Sequence, residues 1–158
     1  MKTTVLLVED SKLQKLMNER MLHRAGYAVL NASDGEEAVR MARETIPDII
    51  LLDMMLPKLG GREVMQALRS DPPTARIPIL FFSSLSQANE LKLTGEGAAG
   101  YFSKSRLAEH PAAGEKELIK LIENLVQSSR NREKSRANAG PLRPPRGPPS
   151  PGMNSALA

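Results

Sequence analysis

The sequence predicts an α/β fold in which a five-stranded, doubly wound parallel sheet carries helices on both faces. Short apolar runs alternate along the chain with segments of helical period. One of these runs, IILL at residues 49–52, is apolar at every position, which is typical of a parallel strand covered on both faces. The repeated alternation of strand and helix indicates that the strands pair in parallel.

The first half of the chain supplies three strands and three helices. The strands are TVLLV at residues 4–8, AVLNA at residues 28–32 and the IILL run. A first helix spans residues 11–24 and ends before Gly26. Its apolar residues share one helical face: Leu13, Leu16, Met17 and Met21. A second helix covers residues 33–44 with Ser33 or Asp34 as its cap, and a third covers about residues 62–69.

The second half supplies the remaining elements of the sheet. IPILFF at residues 77–82 is the fourth strand, and a weaker helical segment follows at residues 87–96. GYFS at residues 100–103 is a short fifth strand. The last helix is predicted for residues 115–127, where Leu118, Ile122 and Leu125 recur at helical spacing.

Composition separates a folded domain at residues 1–127 from a basic tail at residues 128–158. The tail holds six basic residues against one acidic residue, together with six prolines and three glycines, so we expect it to be disordered. The pI of about 9.6 belongs to this tail and gives no reason to expect specific nucleic-acid binding by the domain. The chain has no cysteine, which excludes disulfides and thiolate metal sites. Its longest N-terminal apolar run is too short for a signal peptide or a membrane span, so we expect a cytoplasmic protein.

Polar residues follow four of the five strands. Glu9 and Asp10 come after the first strand and Asp53 after the third. Ser83 and Ser84 follow the fourth strand, and Lys104 follows the fifth. Since ligands of parallel sheets bind beyond the carboxyl ends of the strands, we expect these side chains to converge on one small site.

The residue types at this site favour phosphoryl chemistry. Three neighbouring carboxylates repel one another unless a cation lies among them, and Mg²⁺ accepts carboxylates, waters and a phosphate. A carboxylate in such a place can act as a nucleophile toward phosphorus and form an aspartyl phosphate. Lys104 would offset the charge of the transferring group, and Ser83 could donate a hydrogen bond to it.

Four segments together resemble the receiver domain of two-component response regulators over about residues 3–127. VLLVEDS resembles the acidic pair of that family, and DIILLDMMLPKLGG resembles its phosphoacceptor strand and the following loop. ILFFSS resembles its hydroxyl strand, and GAAGYFSKS its lysine strand. Each motif is weak alone, but four in this order, at spacings close to those of the family, are highly specific. The resemblance implies a flavodoxin-like sheet with strand order 2-1-3-4-5.

The resemblance also implies roles for individual residues. Asp53 would accept a phosphoryl group from a phosphohistidine on a sensor histidine kinase or a histidine phosphotransfer protein. Glu9, Asp10 and Asp53 would hold Mg²⁺ with the backbone carbonyl of Met55. Ser83 and Lys104 would bind the phosphoryl oxygens. Ser83 and Tyr101 would form the conformational switch, in which the tyrosine ring turns inward when the hydroxyl residue moves toward the phosphate. The signal would leave through the fourth helix, the fifth strand and the last helix.

The sequence departs from the family at the lysine loop. Lys104 is followed by Ser105, where the family usually has a proline on a cis peptide bond. A cis bond before a residue other than proline costs about 3 kcal/mol, which favours a trans bond and a slightly displaced loop. The segment SRLAEHPAAG before the last helix is also longer than expected.

Structural alternatives exist for each site residue. Asp53 could cap a turn, and Glu9 and Asp10 could cap the first helix. Lys104 could be a solvated surface lysine, and Tyr101 could serve only in core packing. The four motifs taken together favour the functional interpretation over these alternatives.

The sequence therefore predicts a single-domain response regulator, a phosphorylation-controlled binding module without an enzymatic output. Its downstream partner would be another protein. An alternative is a pseudo-receiver that acts as a constitutive interaction scaffold. A phosphatase that uses Asp53 as its nucleophile would need a second acid two residues later, where Met55 stands.

Overall fold

The computed structural model describes residues 2–84, 90–140 and 147. Its strands are β1 (Thr4–Val8), β2 (Ala28–Ala32), β3 (Ile49–Leu52), β4 (Ile79–Ser83) and β5 (Gly100–Ser103). Its helices are α1 (Lys12–Arg24), α2 (Gly35–Thr45), α3 (Gly61–Arg69), α4 (Glu90–Glu96), α5 (Lys104–Glu109) and α6 (Pro111–Asn138). No helix among these residues combines the length and apolar character that a membrane crossing requires.

The five strands form one sheet in the order β2-β1-β3-β4-β5, and every pairing is parallel. The predicted fold class and strand order are therefore confirmed. Val8 pairs with Ala32 on one side and with Leu52 on the other, so β1, β2 and β3 end at the same level. Ser83 pairs with Ser103, which brings the ends of β4 and β5 together. The strand ends thus form a common edge, where the polar residues that follow them meet.

Alternate residues of each central strand pack into two separate cores. In β1, Leu6 and Val8 face a core shared with α2, α3 and α4, whereas Val5 and Leu7 face a core shared with α1 and α6. All of β3 and β4 is buried. This explains the unbroken IILL run: each side chain of β3 is covered by helices on one face of the sheet or the other.

The predicted extent of α1 is confirmed, but most of the residues on its predicted apolar face are exposed. Ser11 caps the helix by accepting a hydrogen bond from the backbone N–H of Gln14. Met21 and Leu22 are the buried residues of the helix, whereas the other three residues of the apolar face are exposed: Leu13 (68%), Leu16 (45%) and Met17 (61%). The apolar residues of the first two turns therefore lie on the molecular surface.

Two boundaries near the C-terminus of the chain also differ from the prediction. The sequence predicts the last helix for residues 115–127, which is wrong at both ends, because α6 begins at Pro111 and continues to Asn138, through the first eleven residues of the predicted tail. Ser129 is still buried, and from Arg130 to Gly140 every residue is exposed. The sequence does not reveal this segment because a surface helix is recognised by a repeating apolar face, which a solvated helical extension lacks. Residues 141–146 and 148–158 lie outside the described residues.

The segment after Lys104 contains a helix that the sequence did not predict. Lys104 opens α5, and Ser103 caps this helix by accepting a hydrogen bond from the backbone N–H of Ser105. The backbone contains no cis peptide bond among the described residues, so the bond between Lys104 and Ser105 is trans. The unusual length of this segment is thus accounted for by α5, which leads directly into α6.

Candidate functional site

The common edge of the sheet brings the predicted acids together. The backbone N–H of Asp53 donates to the carbonyl of Val8 (3.3 Å), and that of Glu9 donates to the carbonyl of Ala32 (3.1 Å). These bonds fix both acids directly beyond the strands that precede them. Glu9 is 2% exposed and Asp53 is 8% exposed, whereas Asp10 lies on the surface.

Lys104 connects two of these acids. Its Nζ atom lies 2.5 Å from Glu9 Oε2 and 2.9 Å from Asp53 Oδ2. Only 13% of the lysine side chain is exposed, and its ammonium lies 5.5 Å from the centre of the Phe82 ring. Burial of the two carboxylates is tolerable because a cation is paired with them. The interpretation of Lys104 as a fully solvated surface lysine is therefore wrong.

The second oxygen of Asp53 accepts two hydrogen bonds. Ser83 Oγ donates to Asp53 Oδ1 over 3.2 Å, and the backbone N–H of Met55 donates to the same oxygen over 3.2 Å. Ser83 is buried, so its hydroxyl is held at the site, whereas Ser84 is exposed. Asp53 is therefore oriented on both oxygens by groups from β4, the start of α5 and its own loop.

Three acidic side chains could hold a metal ion at this edge. One oxygen each of Glu9, Asp10 and Asp53 lies within 4.8 Å of the other two. Carboxylate oxygens at this separation fit a hard divalent cation such as Mg²⁺. The backbone carbonyl of Met55 as a further ligand stays a prediction. Met55, whose backbone N–H contacts Asp53, is 71% exposed.

Tyr101 links β5 to the hydroxyl residue. Its ring is buried, and its hydroxyl donates to the backbone carbonyl of Ser83 over 3.4 Å. Tyr101 also packs in the core on the α2, α3 and α4 side of the sheet. Core packing and contact with Ser83 thus coexist, and the role of this pair as a switch stays a prediction.

The loop after Asp53 is anchored by close backbone packing. A Cβ atom at Gly61 would lie 2.4 Å from the carbonyl oxygen of Asp53, so only glycine lets α3 begin this close to the site. Lys58 adopts a positive φ of 67° and pairs with Asp34 over 3.4 Å.

Asp34 is the N-cap residue of α2 and accepts a hydrogen bond from the backbone N–H of Glu37. This hydrogen bond lowers the pKa of the Asp34 carboxyl.

Sequence reasoning missed one residue of the site, Gln14. Its Oε1 atom accepts a hydrogen bond from Lys104 Nζ over 2.7 Å. The available signal was helical spacing, because Gln14 lies one turn after the acidic pair and therefore points toward the same end of the sheet. A lone glutamine on an exposed helix face carries no motif, which is why the pattern did not identify it.

Comparison with known proteins agrees with this geometry. The family described as the response regulator receiver domain matches residues 5–110. The chain is 34% identical over 140 residues to the DNA-binding dual master transcriptional regulator RpaA of Synechocystis sp., covering 87% of this chain and 57% of that protein. The chain thus spans little more than half the length of that regulator.

A shorter relative and a solved structure give the same result. The polar-differentiation response regulator DivK of Brucella anthropi is 31% identical over 105 residues, which are 66% of this chain and 85% of DivK. The receiver domain of the sensor histidine kinase PA1611 from Pseudomonas aeruginosa PAO1, solved with a magnesium ion coordinated in its active site cleft, superposes with a TM-score of 0.70. It is 27% identical, and the match covers 80% of this chain and 99% of that one. The sequence motifs, the parallel sheet and these matches together show that the chain belongs to the response regulator receiver domain family of two-component signalling systems.

Proposed function

We propose that this protein is a signalling switch in which Asp53 accepts a phosphoryl group from a phosphohistidine donor. The observation that carries this proposal is the set of contacts around Asp53. One carboxylate oxygen accepts hydrogen bonds from Ser83 and from the backbone of Met55, and the other accepts one from Lys104. A carboxylate held on both oxygens beside a cation and a hydroxyl is prepared for nucleophilic attack on phosphorus.

The transfer would replace one bond to phosphorus by another. A carboxylate oxygen of Asp53 forms the new bond to phosphorus as the phosphorus–nitrogen bond of the donor's phosphohistidine breaks, and the imidazole nitrogen retains the electron pair. Lys104 and Ser83 would then contact phosphoryl oxygens with the same groups that now contact the carboxylate. Charge stabilisation of this kind supplies most of the catalysis in phosphoryl transfer.

Glu9, Asp10 and Asp53 would hold Mg²⁺ in this site, with the carbonyl of Met55 as a ligand by family resemblance. When bound, Mg²⁺ supplies positive charge against the phosphoryl oxygens. The proximity of the three acids supports this assignment, since their mutual repulsion is relieved by a cation. Lys104 alone offsets one of their three negative charges.

The phosphorylated state would change the surface around β4 and β5. Ser83 would turn toward the phosphoryl group, and the hydrogen bond from Tyr101 to the Ser83 carbonyl couples this movement to an aromatic ring of β5. The donor would be a sensor histidine kinase or a histidine phosphotransfer protein, and the receiver of the signal another protein. Such a change would alter the face formed by α4, β5 and the final helices.

Uptake of phosphate from a small donor tests this proposal. The full chain is incubated with acetyl phosphate, with and without Mg²⁺, and acid-labile protein-bound phosphate is measured. We expect Mg²⁺-dependent incorporation that disappears in Asp53→Asn, because an amide is not a nucleophile. The control is Asp71→Asn, which removes an acid that pairs with Arg43 and lies away from the site. No incorporation in the parent would instead favour a constitutive scaffold without a phosphoryl cycle.

A further inference from the structure

The ammonium of Lys104 makes three hydrogen bonds, one for each of its protons. Two acceptors are Glu9 Oε2 at 2.5 Å and Asp53 Oδ2 at 2.9 Å. The third is the amide oxygen of Gln14 at 2.7 Å, contributed by α1 from 90 residues away in the chain. Lys104 is therefore held from three directions.

Two of the three acceptors have further roles in the proposed function, and the third has none. Glu9 and Asp53 belong to the cluster of acids suited to a divalent cation, and Asp53 is also the proposed phosphoacceptor. Gln14 is neutral and lies outside that cluster. Of these three acceptors, Gln14 alone can keep its hydrogen bond with Lys104 while Glu9 binds the cation and Asp53 carries the phosphoryl group.

A hydrogen bond that holds the ammonium in place matters more for lysine than for a stiffer side chain. Its four-carbon stem has several rotatable bonds, and fixing it costs about 2 kcal/mol of rotamer entropy. Gln14 is well placed to share in this ordering because its own backbone is fixed, its N–H being bonded to the helix cap Ser11. The amide also adds no negative charge to a site that already contains three acids.

We propose that Gln14 is a positioning residue that holds the Lys104 ammonium toward the phosphoacceptor when Glu9 and Asp53 are occupied by cation and phosphoryl group. This inference rests on the proposed function. It assigns Gln14 no contact with the phosphoryl group: the amide acts through Lys104. Loss of the amide oxygen should free the ammonium and slow phosphorylation without unfolding the domain, because Gln14 is on the surface.

The test uses Gln14→Met, Gln14→Glu and a control, Asn18→Met. Methionine has nearly the shape of glutamine but only a weak acceptor, whereas glutamate keeps an oxygen at the same reach. Asn18 lies one turn further along α1 and lines the same groove as Gln14 and Lys104. The first readout is acylation of Lys104 by acetic anhydride in Mg²⁺ buffer, measured by peptide mass spectrometry relative to the exposed Lys120. The second is the rate of phosphorylation by acetyl phosphate at saturating Mg²⁺.

In Gln14→Met we expect several-fold faster acylation of Lys104 and about five-fold slower phosphorylation, which corresponds to one ordinary hydrogen bond. Gln14→Glu should restore protection of Lys104, and Asn18→Met should behave as the parent does. Unchanged acylation in Gln14→Met would overturn the proposal, as would faster acylation with an unchanged phosphorylation rate. If the parent takes up no phosphate, the proposed function fails, and the acylation result still decides whether Gln14 holds the ammonium.

Discussion

At the scale of single residues, Asp53 sits where a carboxylate is costly. It follows a fully buried strand, is 8% exposed, and lies within 4.8 Å of two other acids. Lys104 compensates for part of this charge by pairing with Asp53 and Glu9. The repulsion that remains among the three carboxylates lowers the stability of the folded protein. Such a loss of stability is usual where charged groups are arranged for chemistry.

This repulsion predicts that Asp53→Asn stabilises the protein. The amide keeps the size of the side chain and removes one of three clustered negative charges, so the free energy of unfolding should rise by about 1 kcal/mol in Mg²⁺-free buffer. Urea unfolding of parent and variant measures it. In Asp71→Asn, which loses an ion pair with Arg43, the same measurement should show no gain. A loss of stability in Asp53→Asn would show that Asp53 is a net stabilising partner of Lys104.

Met55 leads to a prediction about how long the phosphoryl group survives. Hydrolysis needs a water in line with phosphorus, and by family resemblance the side chains flanking that approach are Met55 and Leu85. Both are apolar and cannot orient a water by hydrogen bonds, so we expect a comparatively long-lived aspartyl phosphate. Met55 is 71% exposed beside the site, while Leu85 lies outside the described residues.

The double variant Met55→Asn with Leu85→Glu tests this prediction. It should release phosphate roughly ten- to hundred-fold faster than the parent, about 1.4 to 2.7 kcal/mol in the barrier, because its polar side chains can hold the attacking water. The measurement is loss of protein-bound phosphate after removal of the donor. An equal or slower rate would contradict the argument about lifetime and leave the family assignment intact.

At the scale of secondary-structure elements, the cap of α2 responds to pH. The backbone N–H of Glu37 donates to Asp34 over 2.8 Å and, with the help of Lys58, holds the pKa of this carboxyl below its ordinary value. A group whose pKa is lowered on folding stabilises the fold above its unfolded pKa of 3.8, and this contribution is lost as the pH falls through the folded value.

The pH dependence of Asp34→Asn isolates this charge. Asparagine is also a good N-cap residue, so the hydrogen bond to Glu37 can remain while the charge is lost. The variant should be less stable than the parent at pH 7, and the difference should shrink as the pH falls below 3.8. Urea unfolding at several pH values measures both proteins. A difference that is constant with pH would mean that the charge of Asp34 contributes nothing.

The end of α6 divides into a part that packs and a part that does not. Ser129 is buried, and Arg130 donates to Thr3 Oγ1 over 3.2 Å and pairs with Asp48 over 3.6 Å. Beyond Arg130 the helix is exposed on every side. Burial of α6 residues against the domain therefore ends within the first residues of the segment that composition assigns to a tail.

Two truncations distinguish these parts. Truncation after Asn138 should leave the free energy of unfolding unchanged. Truncation after Gln127 should lower it by about 1 kcal/mol, because the buried Ser129 and the exposed ion pair between Arg130 and Asp48 are lost. Neither truncation should alter phosphorylation by acetyl phosphate, because Thr3 and Asp48 precede β1 and β3 and the site follows these strands. Thermal unfolding and phosphate uptake measure both. A large loss of phosphorylation after Gln127 would show that the domain extends further along α6.

At the scale of the whole molecule, much of the fold follows from patterns that the sequence displays directly. The parallel sheet with helices on both faces and the meeting of polar residues at one edge depend on apolar runs and on the rule that ligands of parallel sheets bind beyond the carboxyl ends of the strands, whereas the strand order was expected from the family resemblance. Most of the candidate site residues could be named from the sequence because they follow a predicted strand. Elements without such a pattern were missed: α5 is short, and the exposed end of α6 carries no apolar stripe.

Other features depended on tertiary contacts that no local pattern encodes. The apolar residues Leu13, Leu16 and Met17 repeat at helical spacing, yet they face outward because α1 packs on the sheet through Met21 and Leu22. The role of Gln14 depends on its contact with Lys104, which lies 90 positions further along the chain. Periodicity identifies an amphipathic helix, but it does not determine which residues the neighbouring elements cover.

Chemical identification of the modified residue shows whether Asp53 is the phosphoacceptor of this receiver domain. The full chain is treated with acetyl phosphate and Mg²⁺, and the acyl phosphate is reduced with borohydride, which converts a phosphorylated aspartate to homoserine. Peptide mass spectrometry then locates the change. We expect homoserine at position 53, as phosphorylation of Asp53 requires. Homoserine at Asp10 or at another acid, or no reduction product at all, would contradict it.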